Sequence, residues 1–161
     1  MISIILPKKL DEKLRKKAEE TGALPEELGI EFLLKALNEE LDPEDLGEHY
    51  QALSEKYLAE AKEFLGKGDT VQASEKLWGS AALAVKTVAA RRGLKLERHG
   101  SLWDFVSRLS SESKDEDIIR FFGEANTLHR NFYENEMDKN AIDVISRDID
   151  KLIAKLKVIS W

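Results

Sequence analysis

Apolar positions along this chain follow two different periods. Residues 2–6 read ISIIL, a short β-branched run closed by Pro7, and predict a strand. Beyond Pro7 the spacing lengthens to three and four, the period of an amphipathic helix. Leu10, Leu14 and Ala18 mark a helix ending near Gly22. Pro25 opens a second, with Leu28, Phe32, Leu33, Ala36 and Leu37 on one face, running to about Leu41.

Asp42-Pro43-Glu44-Asp45 is a helix start: Asp42 as N-cap, Pro43 at the first helical position, acids in the first turn. A module boundary is placed here, separating residues 1–42 from 43–161. Leu46, Tyr50, Leu53, Tyr57, Ala61 and Phe64 line the next helix, which Gly66-Lys67-Gly68-Asp69 breaks. Another runs from Thr70 to Arg92 with Leu77, Trp78, Ala81, Val85 and Val88 inward. Ser101-Leu102-Trp103-Asp104 reads as a capping box for a short helix, and the Ser/Asp/Glu-rich stretch 110–117 as a turn. Two long helices follow, about Asp115–Glu136 and Lys139–Val158. The expected fold is all-α: an up-down bundle of four long helices and one short one, preceded by a strand-helix-helix segment.

The chain has 161 residues, 42% of them hydrophobic, which suffices for a core and exceeds what a disordered chain carries. There is no cysteine, so disulfides, cysteine-based zinc sites and a thiol nucleophile are excluded; three histidines leave little scope for a metal site. No metal or cofactor is expected. The charge is −6. No apolar run reaches a membrane span and no signal peptide is visible, so a cytoplasmic, soluble protein is expected. Abundant Glu and Lys, with Gln only at 51 and 72, lean toward a thermophile composition.

A lone strand leaves its backbone groups unpaired, and no second strand is visible, so pairing with the same strand of another copy is expected. The order strand, helix, turn, helix in ISIILPKKLDEKLRKKAEETGALPEELGIEFLLKAL resembles the ribbon-helix-helix family. The resemblance implies a dimer whose inward strand residues are Ile2, Ile4 and Leu6. Met1, Ser3 and Ile5 would face outward, where family members read DNA bases. Residues 1–42 nevertheless carry 7 basic and 10 acidic side chains, and Glu26 and Glu27 stand where a phosphate would dock. A dimerisation clasp is the alternative to a DNA-binding regulator. The basic run Lys8 to Lys17 serves either reading.

Three stretches of the bundle exceed simple packing: residues 74–93 with Lys76 and Trp78, residues 98–103 (RHGSLW), and residues 128–134 (LHRNFYE). Together with the segment from His49, they resemble an archaeal PaREP-type family, placed in the HEPN superfamily of helical domains. That resemblance implies a dimeric four-helix bundle associated with RNA cleavage, nucleotide binding or toxin–antitoxin pairs. The HEPN catalytic pattern is an Arg, a polar residue, and a His four to six positions on. Arg130-Asn131 matches its first half, but Glu134, Asn135 and Glu136 occupy the positions for His. Glu134 could serve as base, although pairing with Arg weakens a carboxylate for that task.

Three readings of this cluster stay open. In one, Arg130 and Glu134 are an i,i+4 pair, with His129 hydrogen-bonded and Tyr133 packed. In another, Lys76, His99, His129, Arg130, Asn131 and Tyr133 bind a nucleotide or phosphate. In the third, Arg130 and Glu134 form a metal-independent ribonuclease. Lys86, Arg91, Arg92 and Lys95, with Arg98, form a basic run that either tracks a nucleic-acid backbone or complements a helix C-terminus. Trp78 and Trp103 read as core anchors. No P-loop, dinucleotide loop, HExxH or GxSxG motif is present. The expected function is a non-catalytic homodimeric module binding a nucleotide, RNA or an antitoxin-type partner protein.

Overall fold

A computed structural model of the chain describes residues 1–96 and 99–159, with residues 99 and 100 as backbone only. The described residues form seven helices: α1 (Lys8–Thr21), α2 (Pro25–Leu37), α3 (Pro43–Gly66), α4 (Thr70–Arg91), α5 (His99–Ser113), α6 (Asp117–Glu134) and α7 (Lys139–Lys157). None is long and apolar enough to cross a membrane. The chain divides into two compact units, one containing Met1–Leu41 and one beginning at Asp42.

In the first unit, α1 and α2 pack together around Ala18, Leu24 and Leu28, and Leu14 lies against Gly29. Gly22 closes α1 in the left-handed region at φ 71°. The expected N-terminal strand is not formed: residues 1–7 carry no regular structure, and no strand occurs among the described residues. An alternating β-branched run supplies side chains suited to a sheet but no backbone partner, and a strand exists only through pairing. Pro7 belongs to the helix instead, its carbonyl accepting from Leu10 N at 2.9 Å and Asp11 N at 3.0 Å. Ser3, expected to face outward on that strand, sits exposed on an irregular segment.

The second unit is a helical bundle organised around α4. Every residue from Leu77 to Ala90 is buried, so α4 is covered on all sides, chiefly by α3, α6 and α7. Its small residues admit close neighbours. Ser54 Oγ donates to the Ser80 carbonyl at 2.8 Å, and Ser80 Oγ donates to the Ser54 carbonyl at 2.9 Å, stitching α3 to α4. Leu102, Phe105, Val106 and Leu109 of α5 enter the same core as Phe122 and Leu128 of α6 and Ile149 and Leu152 of α7. Helix starts follow local chemistry. Asp42, Asp69 and Asp138 each accept from a backbone N–H three residues on, at 2.8, 3.1 and 2.8 Å. α5 begins before Ser101 and extends through Ser113, so the turn is shorter than expected and centres on Lys114, at φ 52°.

Candidate functional site

The residues singled out at 128–134 lie on the last two turns of α6, and the fold separates them by role. Asn131 is 2% exposed and acts as a latch. Its Nδ2 donates to Ser74 Oγ of α4 at 2.9 Å, and Ser74 in turn donates to the Thr70 carbonyl at 2.7 Å. Its Oδ1 accepts from Glu136 N and Met137 N, both at 2.8 Å, satisfying the chain where it leaves the helix. Asn135 ends α6 at φ 48°.

His129 turns toward α4. Its Nδ1 lies 3.2 Å from Glu75 Oε2, its ring centroid is 5.5 Å from Trp78, and Tyr133 meets it edge-on at 5.6 Å. Trp78 continues to Phe122 at 5.6 Å, and Phe122 to Trp103 at 4.8 Å. An unbroken run of rings thus crosses α4, α5 and α6. Its centre is buried, while Tyr133 is 53% exposed and Trp103 37%, so Trp103 anchors the core by one edge only.

Arg130 points to solvent and holds Glu134 Oε2 at 2.6 Å. That hydrogen bond, with the charges of Glu134 and Glu136, raises the guanidinium pKa above its usual value. Lys76 faces the other way, bonded to Glu60 Oε2 at 2.7 Å with its ammonium 4.1 Å over the Tyr57 ring. His129 and Tyr133 are therefore brought together beside Glu75, Arg130 stands next to them on the exposed side with Glu134, and Lys76 and Asn131 serve other contacts. The side chain of His99, and Arg98, lie outside the described residues.

The basic run after Lys86 is dispersed rather than aligned. Lys86 is buried within α4. Arg91 donates to Gln51 Oε1 at 2.9 Å and lies 3.4 Å from Glu44 Oε1. Arg92 pairs with Glu112 of α5 at 2.9 Å, and Lys95 is exposed. Cavities open in the bundle among the described residues. One of about 550 Å³ is lined by Arg92, Glu112, Asp115 and Lys155, another, of about 310 Å³, by residues of α3, α4 and α7 including Arg91. Sequence spacing gave no sign of either, because each joins helices distant in the chain.

The comparisons with known proteins bear on this second unit. No curated protein matches the chain. A crystal structure of a protein from Sulfolobus solfataricus is similar, at 29% identity and a TM-score of 0.59, covering 65% of this chain and 92% of that one. The model of the archaeal PaREP1/PaREP8 family matches residues 49–153, from the first turns of α3 into α7. The α4–α6 face with its ring contacts falls within that span, and the chain belongs to the archaeal PaREP1/PaREP8 family.

Proposed function

We propose that the chain is a non-catalytic binding module of HEPN type whose recognition face is built by His129, Arg130 and Tyr133. The observation that carries this reading is the pairing of an exposed guanidinium with a half-exposed aromatic ring on adjacent turns of one helix. The ligand class is a nucleotide or a short RNA end. Tyr133 offers a ring on which a base stacks, and Arg130 supplies a forked donor for phosphate. Glu75 holds the His129 ring in place beside Tyr133.

Two features favour binding over cleavage. Glu134, Asn135 and Glu136 stand where the HEPN pattern has its histidine, and Glu134 Oε2 is engaged by Arg130 at 2.6 Å. The acidic chain and the dispersed basic run favour a small ligand over a long nucleic-acid track, which needs an aligned row of cations. Titration of the purified protein with AMP, ADP and a short single-stranded RNA, read by tryptophan fluorescence, tests the proposal. Trp78 touches His129, so binding at this face alters its emission. Saturable binding lost in Tyr133→Ala and weakened in Arg130→Ala is expected. No binding, or variants that bind as wild type does, would overturn it. So would metal-independent RNA cleavage that disappears in Arg130→Ala.

A further inference from the structure

Residues 1–41 have little core of their own. The apolar side chains they bury are Ala18, Leu24 and Leu28, and among the described residues neither a disulfide nor a cluster of metal ligands staples them. A unit of this size ordinarily needs such a staple or a second copy. Leu14 meets Gly29 where α1 touches α2, but one turn further from the connection Leu10 and Leu33 are both exposed. Leu37, another turn on, is 69% exposed, and Ile2, Ile4 and Ile5 ahead of α1 are exposed as well.

With Met1 and Phe32 these side chains present on the order of 1,000 Å² of apolar surface, more than the roughly 800 Å² that each partner contributes to a standard interface. An apolar surface of this extent marks an interaction site. Charge selects what covers it. Residues 8–17 hold six cations and two acids, whereas residues 26–40 hold five acids and one cation. Lys9, Lys13 and Lys17, spaced by four, run beside the stripe of Leu10 and Leu14, and Glu26 shares the face of Leu33 and Leu37 by spacings of seven and four. The unit is therefore complementary to itself. In a two-fold pair, α1 of each copy meets α2 of the other, cation against acid and leucine against leucine, and the contact is made twice.

We infer that residues 1–41 are a self-association surface, on which a second copy of the chain covers Ile5, Leu10, Leu33 and Leu37 by laying its α1 against α2. Burial of the apolar side chains supplies the affinity, and the opposed charges set which helix meets which. None of these residues lies in the span 49–153 that carries the family match, and none belongs to the nucleotide face, so either proposal can fail alone.

Sedimentation equilibrium of the full chain, from about 1 to 200 µM, is the test, and a monomer–dimer equilibrium is expected. Leu37→Glu places a charge in the apolar contact twice over and should raise the dissociation constant at least about tenfold. Ile5→Asp should weaken the dimer in the same direction, and it lies on a segment without regular structure, so the helices stay intact. Circular dichroism of both variants should match wild type. Tyr133→Ala should dimerise as wild type does, and Leu37→Glu should bind AMP as wild type does. A chain that stays monomeric throughout, a dimer that Leu37→Glu and Ile5→Asp leave unchanged, or one that Tyr133→Ala dissolves would each overturn the assignment.

Discussion

Replacing Asn131 by alanine removes the latch between α6 and α4 and reveals what it is worth. Three hydrogen bonds vanish together: one to Ser74 Oγ and two from the backbone at 136 and 137. Each is worth about 1 kcal/mol net, and Ser74, where no water reaches, keeps its bond to the Thr70 carbonyl but loses the amide donor. Glu136 and Met137 keep some access to solvent, so water recovers part of their loss. The expected destabilisation is about 3 kcal/mol, or a fall in Tm of roughly 6–12 °C for a chain of this size. Thermal and urea unfolding followed by circular dichroism measure it. Arg130→Ala, one residue away but exposed, is the control and should leave Tm in place. Asn131→Asp keeps the acceptor for 136 and 137 but loses the donor to Ser74, and should fall between the two. A loss below about 1 kcal/mol in Asn131→Ala would refute the latch, since solvent would then replace the carboxamide at no cost. The same variant should also weaken nucleotide binding, because His129 and Tyr133 sit on the turns that the latch holds.

Two further perturbations test the packing and the electrostatics. Gly47→Ala gains about 1 kcal/mol of helix propensity but drives Arg91 from Gln51 and Glu44, for a net loss of about 1 kcal/mol. In an Arg91→Ala background the same change should instead stabilise, and an unchanged sign of the shift in denaturation midpoint would sink the steric account. Glu124 is held above the usual carboxylate range by burial and then by its hydrogen bond to Asp148, whereas Lys151 and then Glu124 hold Asp148 below its own. A raised folded pKa stabilises below the unfolded value and that gain is lost as pH rises through the folded one; Asp148 contributes in the opposite sense, losing its gain as pH falls. Glu124→Gln should therefore flatten the decline of Tm above the unfolded carboxylate range and raise Tm on the alkaline side of it, and a parallel downward shift at every pH would contradict this.

Most of the helical fold is legible in the sequence because its signals are local. Asp42 and Asp69 cap as their side chains dictate, and the apolar spacing places α3, α4, α6 and α7 within a few residues. The Ala-rich stretch after Leu77 signals close approach of another helix, but the sequence assigns Lys86 to a basic run, whereas the fold buries it within α4. The failures are non-local. ISIIL has a strand's composition, but pairing is a property of two segments and the chain supplies one. Asn131 reads as a ligand-binding residue because a carboxamide beside Arg and His suits phosphate. Its actual partners are a serine 57 positions earlier and a turn whose conformation no periodicity encodes. The Arg130–Glu134 pair is visible from spacing alone, being i,i+4 on one helix.

The reciprocal serine bonds between α3 and α4 also bear on how the molecule comes into being. A turn of only Lys67 to Asp69 joins the two helices, so closing this hairpin costs little chain entropy. Such local contacts form early, and the hairpin is complete in sequence by Arg91, well before α6 and α7 leave the ribosome. α4 would then wait with two flanks uncovered. The flank that α6 later covers carries Trp78, so until α6 arrives the hairpin exposes an aromatic surface that only the following helices remove from water.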